Sequence, residues 1–239
     1  MTMDQKNEEV VVNNKKNEFI TVDGVKYGRY AVKTHVVTND DDACDVAEKY
    51  VKPHLQSGDV VFFSEKMIAC TQGRAILLTD IKPRPLARFL SSHVYKNPGG
   101  IGLAMPETME MALRECGTVR ILFAAFCSVI GKLFGQRGWF YIIAGRKAAS
   151  IDGPCHYTLP PYNKYVVLGP DKPDEVAKRI SKVLDGATVL IVDINDLGGN
   201  ILGSSTAVDK DLYCKVLKDN PLGQTNECTP CGIIRKENA

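Results

Sequence analysis

The residues of this chain that are best suited to binding or catalysis are oxygen-bearing side chains that follow an apolar run. Residues 190–192 are apolar and lead into Asp193-Ile194-Asn195-Asp196, which two glycines follow. Strand alternation would put Asp193 and Asn195 on one side. Hard divalent cations take carboxylate and amide oxygens as ligands, and glycines let phosphates approach the backbone. The pattern predicts a metal site that holds a phosphorylated ligand, and a polar turn capped by Asp and Asn is the alternative.

Two other segments supply oxygen donors that could complete such a site. Asp152 lies in a long irregular stretch, residues 150–164, and loops of this length in compact domains are often functional. Residues 220–227 form a second polar stretch, which contains Gly223, Gln224 and Thr225. Together these segments favour metal and nucleotide binding over a purely structural turn.

Charged and hydroxyl side chains also follow the apolar strand at residues 60–63. Ser64, Glu65 and Lys66 come directly after it, and Arg74 lies a few residues further on. Ligands of open α/β sheets bind outside the carboxyl ends of strands, and a planar guanidinium can clamp a phosphate. We therefore expect these four residues to contact a nucleotide, although Arg74 alone also fits a surface arginine. The chain has neither GxxxxGK[ST] nor GxGxxG, which excludes a P-loop or Rossmann fingerprint.

The elements that must position these residues alternate between apolar strands and amphipathic helices. This alternation predicts an α/β or mixed α+β architecture. A hairpin is expected at residues 19–27, and further strands at residues 30–37, 60–63, 139–143 and 188–192. Helices are expected at residues 43–55, 85–95, 106–116, 119–134, 173–184 and 209–217, and the acidic run at residues 38–42 would cap the first. The polar composition of residues 1–17 predicts a disordered tail before one domain at 18–239.

Composition narrows the class of protein. The formal net charge of +2 comes from 30 basic and 28 acidic residues, which gives no basic patch for nucleic acid. No apolar run reaches the roughly 18–20 residues of a membrane span, and the N-terminus lacks an apolar signal core. We therefore expect a cytoplasmic protein with neither nucleic acid nor membrane as partner. Eight cysteines are then expected as thiols, and Cys228-Thr229-Pro230-Cys231 leaves a redox or zinc protein as a minor alternative.

Several of these segments, in this order, resemble the gamma-glutamyl ligase family of the deazaflavin coenzyme F420 pathway. The matching pieces are Gly58-Asp59-Val60-Val61 through Gln72-Gly73-Arg74, residues 140–145, Leu159-Pro160-Pro161, residues 189–203, and Leu222-Gly223-Gln224 through Thr229-Pro230. The resemblance covers about residues 25–235.

The resemblance implies a fold of two interwoven lobes, a homodimer, and a ligase that joins L-glutamate to a deazaflavin or another acidic acceptor through an amide bond. GTP would be the co-substrate and manganese or magnesium the divalent cofactor. Whether a monovalent cation is also a cofactor is left open. The small-molecule partners would be GTP, glutamate and the deazaflavin-like acceptor.

By position, the resemblance makes Asp193, Asp152 and Gln224 metal ligands, with Asn195 beside them, and assigns Ser64 to Lys66 to the nucleotide. Some positions depart from the family pattern. Ile194 stands where the family has a threonine, and Lys147 where an aspartate is expected after Ala-Gly. Ala69-Cys70-Thr71 precede Gln72-Gly73-Arg74, where the family usually carries a Ser-Lys pair before its Glu-Gly-Arg. The departures at Ile194 and Cys70 keep a second hypothesis open, in which the chain binds metal and nucleotide without catalysing the reaction.

Overall fold

The apolar strands of the sequence pair in a six-stranded sheet in the computed structural model, which describes residues 16–94, 102–136, 138–155, 158–195, 198–223 and 227–237. Most of the tail expected at residues 1–17 lies outside these ranges. The strands are β1 Phe19–Val22, β2 Val25–Val32, β3 Val60–Ser64, β4 Ala75–Leu77, β5 Tyr165–Val167, β6 Thr188–Asn195, β7 Gly198–Ser204 and β8 Cys231–Lys236.

The helices alternate with these strands, as expected for a mixed α+β fold. They are α1 Ala43–Val46, α2 Glu65–Thr71, α3 Pro85–Ser92, α4 Pro106–Cys116, α5 Thr118–Leu133, α6 Trp139–Ala144, α7 Arg146–Ala149, α8 Pro173–Val183 and α9 Lys210–Val216. The first continues as a π-helix, Ala47–Val51, and a 3-10 turn, Lys52–His54. Asp42 caps α1 by accepting a hydrogen bond from the Cys44 amide, which confirms the predicted cap. Further 3-10 turns span Leu78–Asp80 and Tyr162–Lys164.

The chain forms two compact units, one made of Met1–Gly73 and Pro170–Ala239 and the other of Arg74–Gly169. The first unit holds the sheet of order β1-β2-β8-β3-β6-β7. The neighbours β3 and β6 are parallel, and the other neighbouring pairs are antiparallel. Strand β8, the last along the sequence, is therefore inserted between β2 and β3.

Apolar side chains cover both faces of this sheet, which explains why its central strands are continuously apolar. Val61 and Phe63 of β3 point into one core, together with residues of α1, α2 and α8. Phe62 points into the opposite core, which is closed by α9 and the residues that follow it. The alternation of side chains along β3 thus divides the unit into two cores.

The second unit is mainly helical, with α3 to α7 around a core that includes Leu103, Met109 and Ile121. Its two-stranded sheet pairs β4 with β5. The strand predicted at residues 139–143 is wrong, because Trp139–Ala144 is the helix α6 and its Ile142 is 75% exposed. A short apolar run does not distinguish a strand from a helical segment by its pattern alone.

Two strand boundaries also differ from the expectation. The strand predicted at residues 30–37 ends at Val32, and it continues the second hairpin strand without a break as β2. Strand β6 extends through Asn195, beyond the predicted end at Val192. Among the described residues, no single helix is long and apolar enough to cross a membrane.

Candidate functional site

Three predicted site segments meet at one edge of the six-stranded sheet. Strands β3 and β6 run parallel with Ser64 opposite Val192, so Ser64 and Asp193 leave the sheet at the same edge. Strand β8 is antiparallel to β3 and begins at this edge, and the Ser64 amide donates to the Pro230 carbonyl at 2.8 Å. The edge therefore gathers the ends of β3 and β6 and the loop before β8, the arrangement that commonly forms ligand sites in α/β sheets.

Asp193 and Asn195 lie among the last three residues of β6, which pairs with β7 in an antiparallel hairpin. Asp193 is opposite Asn200, and Asn195 is opposite Gly198. Residues directly opposite in such a pair share one face of the sheet, so Asn200 adds an amide oxygen beside the Asp193 carboxylate. Sequence reasoning missed Asn200, because the signal lies in the hairpin register and not in the local pattern.

The neighbouring pair in the hairpin has a structural function. Ile194 is opposite Gly199, and a Cβ added at Gly199 would lie 2.5 Å from Cγ2 of Ile194. Ile194 also packs against the core beneath β6. The side chain that replaces the expected threonine thus fills space that the glycine leaves open, and offers no oxygen to a ligand.

Ser64, Glu65 and Lys66 occupy the junction between β3 and α2. Ser64 caps α2, because its hydroxyl accepts a hydrogen bond from the Met67 amide at 3.3 Å. An accepting hydroxyl keeps its own proton for donation. Glu65 and Lys66 form the first turn of the helix and are half-buried. The three residues are therefore held at the same edge as Asp193.

The loop before β8 is fixed by a tight turn. The Gly223 amide donates to the Asn220 carbonyl at 3.1 Å, and the Asn220 side-chain amide donates to the Gly223 carbonyl at 2.9 Å. The Thr229 hydroxyl donates to the Leu222 carbonyl at 2.6 Å. Gly223 has a φ of 79°, a conformation that favours glycine. The predicted ligands Gln224 and Thr225 lie outside the described residues.

The end of β2 reaches this edge as well, since Val32 pairs with Cys231 and the Thr34 amide donates to the Cys228 carbonyl at 3.0 Å. The Cys231 thiol is buried in the core, and burial raises its pKa far above the ordinary value. Burial also raises the pKa of the Cys228 thiol. Both shifts disfavour the thiolate that redox exchange needs, which argues against the redox form of the CxxC alternative.

A series of hydrogen-bonded side chains around His35 follows β2, and the sequence pattern did not predict it. The His35 ring lies 2.8 Å from the Tyr50 hydroxyl through Nδ1 and 2.8 Å from Asp41 Oδ1 through Nε2. Burial would raise the Asp41 pKa, but hydrogen bonds from the Thr38 amide and His35 hold that pKa below its ordinary value. His35 is thus held between an ionised carboxylate and a buried phenol, and this geometry orients its ring.

Two predicted site residues, Arg74 and Asp152, belong to the second unit. The Arg74 guanidinium donates to Glu115 Oε2 at 2.6 Å and to the Gly169 carbonyl at 2.6 Å. These bonds tie the start of β4 to α4, so Arg74 has a structural role within its unit. Asp152 pairs with Val167 through two backbone hydrogen bonds of 2.9 Å, and its side chain is exposed. Their predicted nucleotide and metal contacts stay predictions.

The side chains at the sheet edge offer oxygen atoms, the type of ligand that a hard cation prefers. Asp193, Asn195 and Asn200 offer carboxylate and amide oxygens, the ligands that Mg²⁺ and Mn²⁺ accept. Within the part of the chain that the structure describes, no three His, Cys, Asp or Glu side chains are grouped to hold a metal ion. A cation here would therefore rely on amide oxygens and on its own ligand as well as on Asp193.

Comparison with protein families gives a match over most of the chain. The family model described as F420-0:Gamma-glutamyl ligase matches residues 31–200, more than two thirds of the chain. The matched region includes β3, α2 and β6, and therefore Ser64 and Asp193. A search of curated proteins found no match.

Proposed function

We propose that this chain, which belongs to the F420-0:gamma-glutamyl ligase family, is a GTP- and divalent-metal-dependent ligase that adds L-glutamate to a deazaflavin or a related acidic acceptor. The observation that carries the proposal is the convergence of Ser64 and Asp193 at one sheet edge inside the matched region. The family gives the class of reaction, and the edge supplies side chains suited to a charged phosphate ligand.

The proposed reaction forms one amide bond at the expense of one phosphoanhydride bond. The acceptor carboxylate attacks the γ-phosphorus of GTP, which gives an acyl phosphate and GDP. The glutamate amine then attacks the acyl carbon, phosphate leaves with the bonding electron pair, and the amine loses a proton. Splitting the reaction in this way replaces a poor leaving group, oxide, by phosphate.

Each side chain at the edge has a defined part in this proposal. Lys66 would balance phosphate charge, and the Ser64 hydroxyl would donate to a phosphate oxygen. Asp193, Asn195 and Asn200 would hold the divalent cation, with Asp152 and Gln224 as the further ligands that the family resemblance implies. The cation, when bound, would supply charge neutralisation on the phosphate oxygens. Glutamate and the acceptor would bind near the same edge.

The decisive experiment measures product and nucleotide turnover together. The protein is incubated with GTP, Mn²⁺ or Mg²⁺, glutamate and a deazaflavin acceptor, and mass spectrometry looks for acceptor plus glutamate minus water. Asp193→Asn should abolish metal-dependent GTP binding and turnover while leaving the melting temperature nearly unchanged. Removal of the metal by a chelator should have the same effect on the wild-type protein.

Asp185→Asn is the matched control. Asp185 lies before the other end of β6, its side chain is 77% exposed, and it pairs with Lys52 at 3.1 Å. This variant makes the same chemical change away from the site and should keep full activity. Unchanged GTP binding in Asp193→Asn would show that the strand end is a structural turn and would remove the basis of the proposed site.

A second candidate function is metal and nucleotide binding without turnover. Ile194, which fills the space over Gly199 where the family resemblance predicts a threonine, favours this alternative. Isothermal titration with GTP and Mn²⁺ separates the two functions. Binding that depends on metal, with phosphate release at background level for every acceptor tested, would support the binding protein and contradict the ligase.

A further inference from the structure

Two arginines of the second unit share one buried carboxylate. Arg84 lies directly before α3, and Arg114 lies in the last turn of α4. Both helices pack on the same core, which brings the two side chains to Glu110. The Glu110 side chain is 2% exposed, whereas the side chains of Arg84 and Arg114 are 48% and 47% exposed. The two guanidiniums, here called the arginine pair, therefore lie at the surface beside a buried anion.

Each member of the arginine pair uses only its Nε–H group to bind Glu110. The Arg84 Nε lies 3.0 Å from both carboxylate oxygens, and the Arg114 Nε lies 2.9 Å from Oε1. Neither guanidinium forms another hydrogen bond within the part of the chain that the structure describes. A guanidinium carries five N–H donors. The terminal Nη groups of both side chains are therefore available to water or to a ligand.

The charge balance at Glu110 differs from that of the other arginine–carboxylate pairs. Four carboxylates each pair with one arginine: Asp219, Glu115, Asp42 and Asp59. The charges in each of those pairs cancel. Among the described residues, Glu110 is the one carboxylate that two arginines share, so its charge cancels only half of theirs.

The residues next to the arginine pair do not supply the missing counter-charge. Arg88 lies one turn after Arg84 on α3, and Lys82 lies two residues before Arg84; both of these further cations are exposed. The nearest carboxylates along the chain are Asp80 and Glu107, and neither forms an ion pair with any of the four cations within the described ranges. The surface between the start of α3 and the end of α4 therefore keeps an excess of positive charge.

The geometry of the arginine pair favours a phosphate group over a carboxylate. Both Nε atoms lie within 3.0 Å of the same oxygen, so they are at most about 6 Å apart. The two oxygens of a carboxylate are satisfied by the fork of a single guanidinium, whereas the additional oxygens of a phosphate can bridge two forks.

We propose that the arginine pair binds free phosphate or the phosphate group of a small molecule, with Glu110 as the positioning residue that orients both guanidiniums. This site lies wholly within the second unit and does not rest on the proposed ligase reaction.

NMR of the arginine side chains tests the proposal on the unmodified protein. Nitrogen–proton correlation spectra of the full chain are recorded at low ionic strength, where surface charges are least screened, while inorganic phosphate is added. The Nε signals of the arginine pair should shift together and saturate with one dissociation constant. The Nε signals of Arg29 and Arg235, whose guanidiniums pair with Asp219 and Asp59, should stay in place.

Variants assign the signals and measure the contribution of one guanidinium. Arg114→Gln should raise the dissociation constant for phosphate, followed at the Arg84 signal, by about tenfold or more, because charge-assisted hydrogen bonds are lost. Arg114→Lys keeps the charge without the fork and should give an intermediate value. Arg179→Gln is the matched control, since Arg179 is an arginine with a 62% exposed side chain that pairs with Asp42. This control should leave phosphate binding unchanged.

The source of the phosphate group is distinguished by parallel titrations with glycerol 3-phosphate and GDP. Tighter binding of either compound than of inorganic phosphate would support a phosphorylated small molecule as the ligand, and tighter binding of inorganic phosphate would support the free ion. Asp193→Asn should leave the shifts of the arginine pair unchanged. The proposed function can therefore fail while this site is confirmed, and the reverse also holds.

Three results would overturn the proposal. The first is the absence of any shift of the Arg84 and Arg114 signals up to about 20 mM phosphate, a concentration far above that needed for a specific contact. The second is an equal shift in sodium chloride of the same ionic strength, which would show screening alone. The third is an unchanged dissociation constant in Arg114→Gln protein whose urea unfolding shows that it is folded.

Discussion

The buried cation Arg29 provides a sharp test of how the first unit is held together. Its side chain is fully buried, and both Nη atoms donate to the Asp219 carboxylate. Nη1 also donates to the Val216 carbonyl at 3.1 Å. The Asp219 side chain is 33% exposed. Burial would raise the Asp219 pKa, but the hydrogen bonds and charge of Arg29 hold it below its ordinary value.

The free energy of unfolding should fall by different amounts when Asp219 or Arg29 is replaced. Asp219→Ala leaves a guanidinium in the core without its counter-charge, which costs about 3–5 kcal/mol. For a chain of this size, each kcal/mol lowers the melting temperature by about 2–4 °C, so a loss of roughly 6–20 °C is expected. Arg29→Met removes the buried charge and leaves a carboxylate that water reaches. We expect this variant to lose less stability than Asp219→Ala.

Urea unfolding followed by circular dichroism measures the free energy of unfolding of each variant. The double variant, Arg29→Met with Asp219→Ala, should recover part of the loss of Asp219→Ala, because no unpaired charge stays in the core. Asp185→Asn, which changes an exposed ion pair with Lys52, should change the free energy of unfolding by less than about 1 kcal/mol. A cost below about 1 kcal/mol for Asp219→Ala, or a double variant less stable than Asp219→Ala, would refute the reasoning.

Two further predictions concern packing and pH. A Cβ at Gly203 would lie 2.5 Å from backbone at the start of α8, so Gly203→Ala should cost about 1–3 kcal/mol in urea unfolding, and an unchanged midpoint would contradict the close approach. Glu110 is 1% exposed, and burial alone would raise the pKa of its carboxyl group. Hydrogen bonds from the Arg84 amide and from the Arg84 and Arg114 side chains hold this pKa below its ordinary value of 4.5. Its contribution is therefore present above pH 4.5 and lost as pH falls through the folded-state pKa. The difference in unfolding free energy between wild type and Glu110→Gln should shrink below pH 4.5, and a difference constant with pH would contradict this.

Local patterns in the sequence determined much of the fold. The apolar runs at β3 and β6, the hairpin of β1 and β2, and α8 follow from residue type and spacing alone, because side-chain periodicity reflects which faces are buried. The Asp42 cap is equally local, since its carboxylate bonds an amide two residues away. The position of Asp193 at a strand end could likewise be predicted, although its metal contact stays a prediction.

Other features depended on partners far away in the sequence. Trp139–Ala144 is helical although its composition favours a strand, because a short apolar segment takes the conformation that its packing partners select. Asn200 enters the candidate site only through its register with Asp193.

The insertion of β8 between β2 and β3 was decided by the tertiary structure in the same way. It brings the loop before Cys231 to Ser64, a residue more than 160 positions earlier. The sequence alone thus determined which residues could bind a charged ligand, through their chemistry and local spacing. Only strand pairing decided which of them share one edge, because long-range hydrogen bonds and core packing leave no local pattern.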